Sequence, residues 1–173
     1  MVNIPTIITF SRIVIILPFV LIASKQPLWG AVLFSIAAIT DFLDGYIARK
    51  SGQITKMGIL LDPIADKLLV ISALIVLVDM AIIHAWIAIV IIAREFIITG
   101  LRIVALTKEI VIPAEMGGKI KVTAQIASII LLLLDRTFLF SDLYGLGIFL
   151  LWIALILGLV SGVQYFVLFW KKI

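Results

Sequence analysis

Residues 41–67 read DFLDGYIARKSGQITKMGILLDPIADK and hold Asp41, Asp44, Asp62 and Asp66, four of the ten acidic residues in the chain. On an α-helix, Asp41, Asp44, Gly45, Ala48 and Arg49 project within an arc of about 140°, so they share one face. Gly58, Asp62 and Asp66 recur every four residues and drift by about 40° per step, which makes a second stripe on a following helix. Between the stripes, KSGQ at 50–53 contains Gly52 and interrupts the pattern. So short a connection folds the two helices into an antiparallel hairpin and brings both stripes to the same depth.

The sequence around this hairpin is apolar. Segments at 6–23, 28–48, 58–80, 83–107, 115–134 and 144–170 each match the roughly 30 Å hydrocarbon thickness of a bilayer at about 1.5 Å per residue. Their breaks have local causes: SKQP at 24–27 ends in Pro27, TKEIVIP at 107–113 ends in Pro113, and DRTFLFSD at 135–142 is polar at both ends. Hydrophobic residues make up 64% of the chain and charged ones 14%, with a mean hydropathy of +1.33, which excludes an ordinary soluble domain. A segment in lipid must satisfy its own backbone hydrogen bonds, so helices are the economical solution. The expected fold is an all-α integral membrane protein of six transmembrane helices. It forms one domain over 1–173, with no room for a soluble one.

The net charge is +4, and the positive residues sit at span ends, so they speak for topology and against a nucleic-acid partner. With the N-terminus in the cytosol, that side receives Arg49, Lys50, Lys56, Lys108, Lys171 and Lys172, and the other receives Lys25 and Arg136. Both termini and the 49–57 connection are therefore expected to be cytosolic, in a multi-pass protein of the cell membrane. Asn3 and Pro5 precede the first apolar run without a basic leader or a small-residue cleavage site, so the first span is expected to be retained. The chain has no cysteine, which leaves no disulfide to consider.

Four carboxylates converging in a partly dehydrated site cannot remain unneutralised, because each buried ion costs several kcal/mol and like charges repel further. All-oxygen ligation suits hard divalent cations such as Mg²⁺ or Mn²⁺, and two of them balance four aspartates. Paired metals of this kind recur where phosphorus chemistry is done. The plainer alternative is a set of helix-terminal aspartates solvated or paired with Arg49 and Lys67. It explains one such residue more readily than four on matching faces.

The series Asp41, Asp44, Gly45, Ala48, Arg49, Gly58, Asp62 and Asp66, at these spacings, resembles the complete signature of the CDP-alcohol phosphotransferases. The resemblance implies six helices, both ends cytosolic, and transfer of a substituted phosphoryl group from a CDP-linked donor to an alcohol with release of CMP. It implies that Asp41, Asp44, Asp62 and Asp66 hold two metals, with Asp41 and Asp62 bridging, and that Asp66 is also the general base. It places Gly45, Arg49, Gly58 and Thr55 at the donor. Glycine lets a large group approach the backbone closely, and arginine presents a planar fork to phosphate oxygens. Asn3, Thr6, Thr9 and Arg12 form a polar edge that by the same resemblance touches the donor headgroup; a polar cap with one anchoring arginine explains them equally well.

The acceptor must be read elsewhere. AREFIITGLR supplies Arg94, Glu95 and Arg102, and GGKIKVTAQ supplies Lys119 and Lys121. Arg94 lies near the middle of an apolar run, where an unpaired cation is costly, and Arg94 and Arg102 are eight apart on one helical face. With Lys67 these residues make a basic pocket beside the acidic one, suited to an anionic acceptor. The rival reading treats Arg102, Lys119 and Lys121 as anchors that snorkel to headgroups, and Arg94 as a buried partner of Glu95 or of an aspartate. These stretches, with NIPTIITFSRI at the start, resemble the branch of the family whose acceptor is sn-glycerol 3-phosphate, apart from Val122 where threonine is expected. The implied reaction converts CDP-diacylglycerol and glycerol 3-phosphate to phosphatidylglycerophosphate and CMP, in a homodimer whose site faces the cytosol. The alternatives are a relative using inositol phosphate, serine or phosphatidylglycerol, and a divalent-cation transporter.

Overall fold

The computed structural model describes the backbone of residues 4–51, 56–107, 116–137 and 142–171, and the side chains of residues 14–40, 67–105, 120–137 and 142–171. Six α-helices run through the described residues: α1 (Ile4–Ala23), α2 (Pro27–Ser51), α3 (Lys56–Asp79), α4 (Ala85–Thr107), α5 (Met116–Asp135) and α6 (Leu143–Lys171). Each coincides with one apolar segment, with ends moved by a few residues. α2 runs on to Ser51 and α3 starts at Lys56. A helix's hydrogen-bond ladder continues through charged residues that hydrocarbon would exclude, so an apolar run understates such ends.

α4 begins at Ala85 instead of 83, for a different reason. Ile82 and Ile83 are apolar and buried, yet they belong to the turn that closes α3. Ala81 takes φ 54°, its N–H donates to Val78 O (3.0 Å), and Ile82 N–H donates to Leu77 O (2.9 Å). This is the paired-bond C-cap that ordinarily uses glycine, and hydropathy cannot distinguish it from helix.

The helix pairs are drawn together at small residues. Pro27 opens α2, where its missing N–H costs nothing. Gly30 lies so close to α1 that a Cβ there would stand 2.6 Å from Ala23 Cβ. The most extensive contact joins α5 and α6, where the fully buried Ser128 hydroxyl donates to Gly147 O (2.7 Å). Hydroxyls of Ser35, Ser72 and Thr99 donate back to carbonyls four residues earlier in their own helices, the usual resort where water is absent.

The core is gathered at one end of the bundle. Phe19, Phe34, Leu74, Leu77, Ile129, Leu132, Leu133 and Leu151 are fully buried, and all lie in the halves of their helices nearest the connections α1–α2, α3–α4 and α5–α6. Phe19 and Phe34 pack with ring centroids 5.8 Å apart. Toward the other end the interior becomes polar, with Arg94, Glu95, Lys121 and Ser161. The exterior is lined by exposed Leu21, Trp29, Ile89, Phe96, Phe149, Val163 and Trp170, a surface made for lipid. Among the described residues, Leu143–Lys171 is long and apolar enough by itself to cross a membrane, and Val14–Ala23 and Pro27–Thr40 are shorter apolar helices.

Candidate active site

The four signature aspartates lie on α2 and α3, which touch and are joined by the four-residue connection 52–55. Asp41 lies ten residues before Ser51 and Asp66 ten residues after Lys56, so both stand about 15 Å along their helices from the connection. Asp44 and Asp62 lie seven and six residues from the same ends, at about 10 Å. The helix bounds therefore set the aspartates at two matched depths. Their side chains, with Gly45, Arg49, Gly58, Thr6 and Lys119, lie outside the residues whose side chains are described, and Asn3 and Thr55 lie outside the described backbone. Among the described residues no three His, Cys, Asp or Glu gather into a metal site. The donor set on α2 and α3 is all carboxylate, which is the chemistry of Mg²⁺ or Mn²⁺.

A cationic cluster is assembled by three other helices. Arg94 on α4 donates from Nε to Gly158 O of α6 (2.8 Å), from Nη2 to Ser161 Oγ (2.6 Å) and from Nη1 to Glu95 Oε1 (3.1 Å). Lys121 of α5, only 3% exposed, forms an ion pair with the same Glu95 oxygen. These three side chains enter a cleft otherwise walled by Val90, Ile91, Ala154, Leu155, Gly158 and Leu159. Gly158 and Gly162 of α6 lie against these side chains at ordinary contact distance: a Cβ on Gly158 would meet Lys121 Cδ at 3.5 Å and Arg94 Nε at 3.9 Å, and one on Gly162 would meet Arg94 Nε at 3.6 Å. Arg94 thus places three of its five N–H groups on these protein partners.

The remaining expected cations are arranged around this cleft. Lys67 of α3 is near enough for its charge to act on Lys121, as Arg94 does, and Arg102 stands in the same relation to Arg94. Arg102 itself is exposed, with its guanidinium 5.3 Å from the centre of the Tyr165 ring, so it is held over α6 instead of inside the cleft. Val122, which departs from the family pattern, is 47% exposed on the bundle exterior and does not line the cleft.

Three functional candidates were missed by the sequence reading. Ser161 and Gly158 come from an apolar span whose small residues look like packing positions, and only the approach of Arg94 gives them a role. Gln125 lies one turn beyond Lys121 on the same face of α5, buried, with Nε2 lacking a hydrogen-bond partner. The GGKIKVTAQ spacing of Lys121 and Gln125 was the available signal.

A helical bundle carrying this signature on one hairpin and a cationic cleft beside it defines a class, and the chain belongs to the CDP-alcohol phosphatidyltransferase family, whose profile matches residues 2–160. It is similar to the CDP-diacylglycerol–glycerol-3-phosphate 3-phosphatidyltransferase of Bacillus subtilis (strain 168), 42% identical over 195 residues that cover 100% of this chain and 98% of the relative. Proteins of the same name from Rickettsia bellii (strain RML369-C) and Shigella flexneri serotype 5b (strain 8401) are 38% and 36% identical. These matches cover 95% and 94% of this chain, and 93% and 92% of the relatives.

Proposed function

We propose that this protein transfers the phosphatidyl group of CDP-diacylglycerol to sn-glycerol 3-phosphate, giving phosphatidylglycerophosphate and CMP. What supports the reading is the presence of two features: four aspartates at matched depths on α2 and α3, and the Arg94–Glu95–Lys121 cleft between α4, α5 and α6, with Lys67, the residue after Asp66, close enough for its charge to act on Lys121. Relatives bearing the name of this activity match nearly the whole chain.

In this mechanism Asp41, Asp44, Asp62 and Asp66 would hold two divalent cations, Mg²⁺ or Mn²⁺, which would supply neutralisation of the donor diphosphate and of the charge that develops on CMP. Gly45, Gly58, Arg49 and Thr55 seat the nucleotide and diphosphate, and Asn3 and Thr6 reach the donor headgroup. The acceptor's phosphate lies against Arg94 and Lys121, with Lys67, Lys119 and Arg102 adding positive potential. Asp66 takes the proton from the acceptor's terminal hydroxyl. That oxygen attacks the β-phosphorus, the one bearing diacylglycerol, and the bond to CMP breaks in line. Acyl chains remain in lipid throughout, while the nucleotide and glycerol phosphate come from water.

The six helices, 20 to 29 residues long, act as six membrane spans with both termini in the cytosol and the polar end of the bundle facing it. The protein works as a homodimer in the cell membrane. An acceptor panel tests the function. Purified protein with labelled CDP-diacylglycerol is expected to release CMP with glycerol 3-phosphate, and not with inositol phosphate, serine or phosphatidylglycerol. A product with one of the others and none with glycerol 3-phosphate would reassign the acceptor; ion uptake without CMP release would reassign the class.

A further inference from the structure

Glu95 belongs to neither the aspartate signature nor the reaction as written, yet both cations of the cleft are bound to it. Arg94 Nη1 and Lys121 Nζ reach the same oxygen, Oε1. The side chains of Lys121 and Glu95 are 4% and 17% exposed, and the walls around them are apolar except for Gly158. We propose that Glu95 is the built-in counter-ion of the empty acceptor pocket. It holds Lys121 and Arg94 until a phosphomonoester takes them over, and so sets the affinity and charge selectivity of the pocket. This rests on the reading of the cleft as the acceptor's phosphate site.

Without a carboxylate, Arg94 and Lys121 would stand unneutralised between largely apolar walls with Lys67 and Arg102 adding repulsion, a costly state. With it the empty pocket is stable, and an entering anion must displace a tethered competitor. A phosphomonoester carries about −1.5 to −2 charges at neutral pH and has three strong acceptor oxygens, against one charge and two oxygens for Glu95. It wins the exchange where a neutral alcohol or a monoanion does not. Arg94 stays in place during the exchange because its bonds to Gly158 O and Ser161 Oγ do not involve Glu95.

The test compares wild type, Glu95→Gln and Glu95→Asp, purified in nanodiscs, by thermal unfolding with and without glycerol 3-phosphate and by steady-state kinetics. Glu95→Gln is expected to melt lower when empty and to gain more from glycerol 3-phosphate than wild type gains. Its KM for that acceptor should fall about fivefold or more, with kcat changed less than KM. Acetate, a monoanion, should compete with the acceptor in Glu95→Gln only. Glu95→Asp, with the carboxylate drawn back by one methylene, should lie between the two; if Glu95→Gln cannot be recovered, a lowered KM in Glu95→Asp decides the matter. A raised or unchanged KM in these variants overturns the proposal and makes Glu95 a positioning residue. If glycerol 3-phosphate stabilises neither wild type nor variants, the placement of the acceptor in the cleft fails with it.

Discussion

Asp66 and Arg94 illustrate two kinds of residue in this protein. Asp66 draws its meaning from spacing: it ends a stripe of three residues, four apart, that only a helix lines up, so its depth matching Asp41 can be read along the chain. Asp66→Asn is expected to lower kcat for CMP release by about two to four orders of magnitude, the usual worth of a general base, with unchanged thermal unfolding. Arg94 draws its meaning from partners, the farthest of them 67 residues away at Ser161. A charge in an apolar run announces that some partner exists without saying which. Arg94→Lys keeps the charge and loses the fork to Gly158 O and Ser161 Oγ. It is expected to raise KM for glycerol 3-phosphate more than tenfold and to destabilise the protein by about 2–3 kcal/mol, since hydrogen bonds to a charged group are worth that much. Kinetics and thermal unfolding check the two parts separately.

Among the elements, the turns are where structure adds most. α1 and α2 are separated by three residues, and Gly30 lets them close against Ala23. In Gly30→Ala the new Cβ would lie 2.8 Å from Ala23 Cα, part of the backbone, so the hairpin must open. The expected cost is about 1–3 kcal/mol, read as a lowered unfolding temperature. The turn after α3 offers the opposite case, because Ala81 sits at φ 54° where alanine is strained. Ala81→Gly is expected to stabilise by about 0.5–1 kcal/mol, the left-handed strain of roughly 1–2 kcal/mol being partly offset by glycine's greater unfolded-state freedom. Six apolar stretches announced the six helices of the described residues, because a long apolar run satisfies its backbone hydrogen bonds most simply as a helix. They set the start of α4 two residues early, because two isoleucines of the turn are buried alongside the helical core.

For the molecule as a whole, the apolar core at one end and the Arg94–Glu95–Lys121 cleft at the other separate packing from the proposed chemistry. Packing of Phe19, Phe34, Leu77 and Leu132 holds the helices together away from the site, so changes at the polar end can alter turnover without unfolding the bundle. Chelation by EDTA is expected to abolish CMP release, with Mg²⁺ or Mn²⁺ restoring it and the helical circular dichroism unchanged. The chain contains no cysteine, which makes topology directly measurable. Single cysteines introduced as Gly52→Cys and Arg136→Cys should be labelled by an impermeant thiol reagent from opposite sides of the membrane, and labelling from one side would refute the six-span arrangement.

The sequence by itself determined the all-helical class of fold and the aspartate spacing from which the acidic half of the site is proposed. Both depend on periodicities within a helix and on the thickness of a bilayer, which are local properties of the chain. Only the tertiary structure decided that Arg94 leans on α6, that Lys121 turns inward while Val122 turns outward, and that Glu95 holds both cations of the cleft. Those outcomes depend on which helices meet and at what register, and the pairing of α4 and α5 with α6 is set by small residues and close packing that carry no periodic signal.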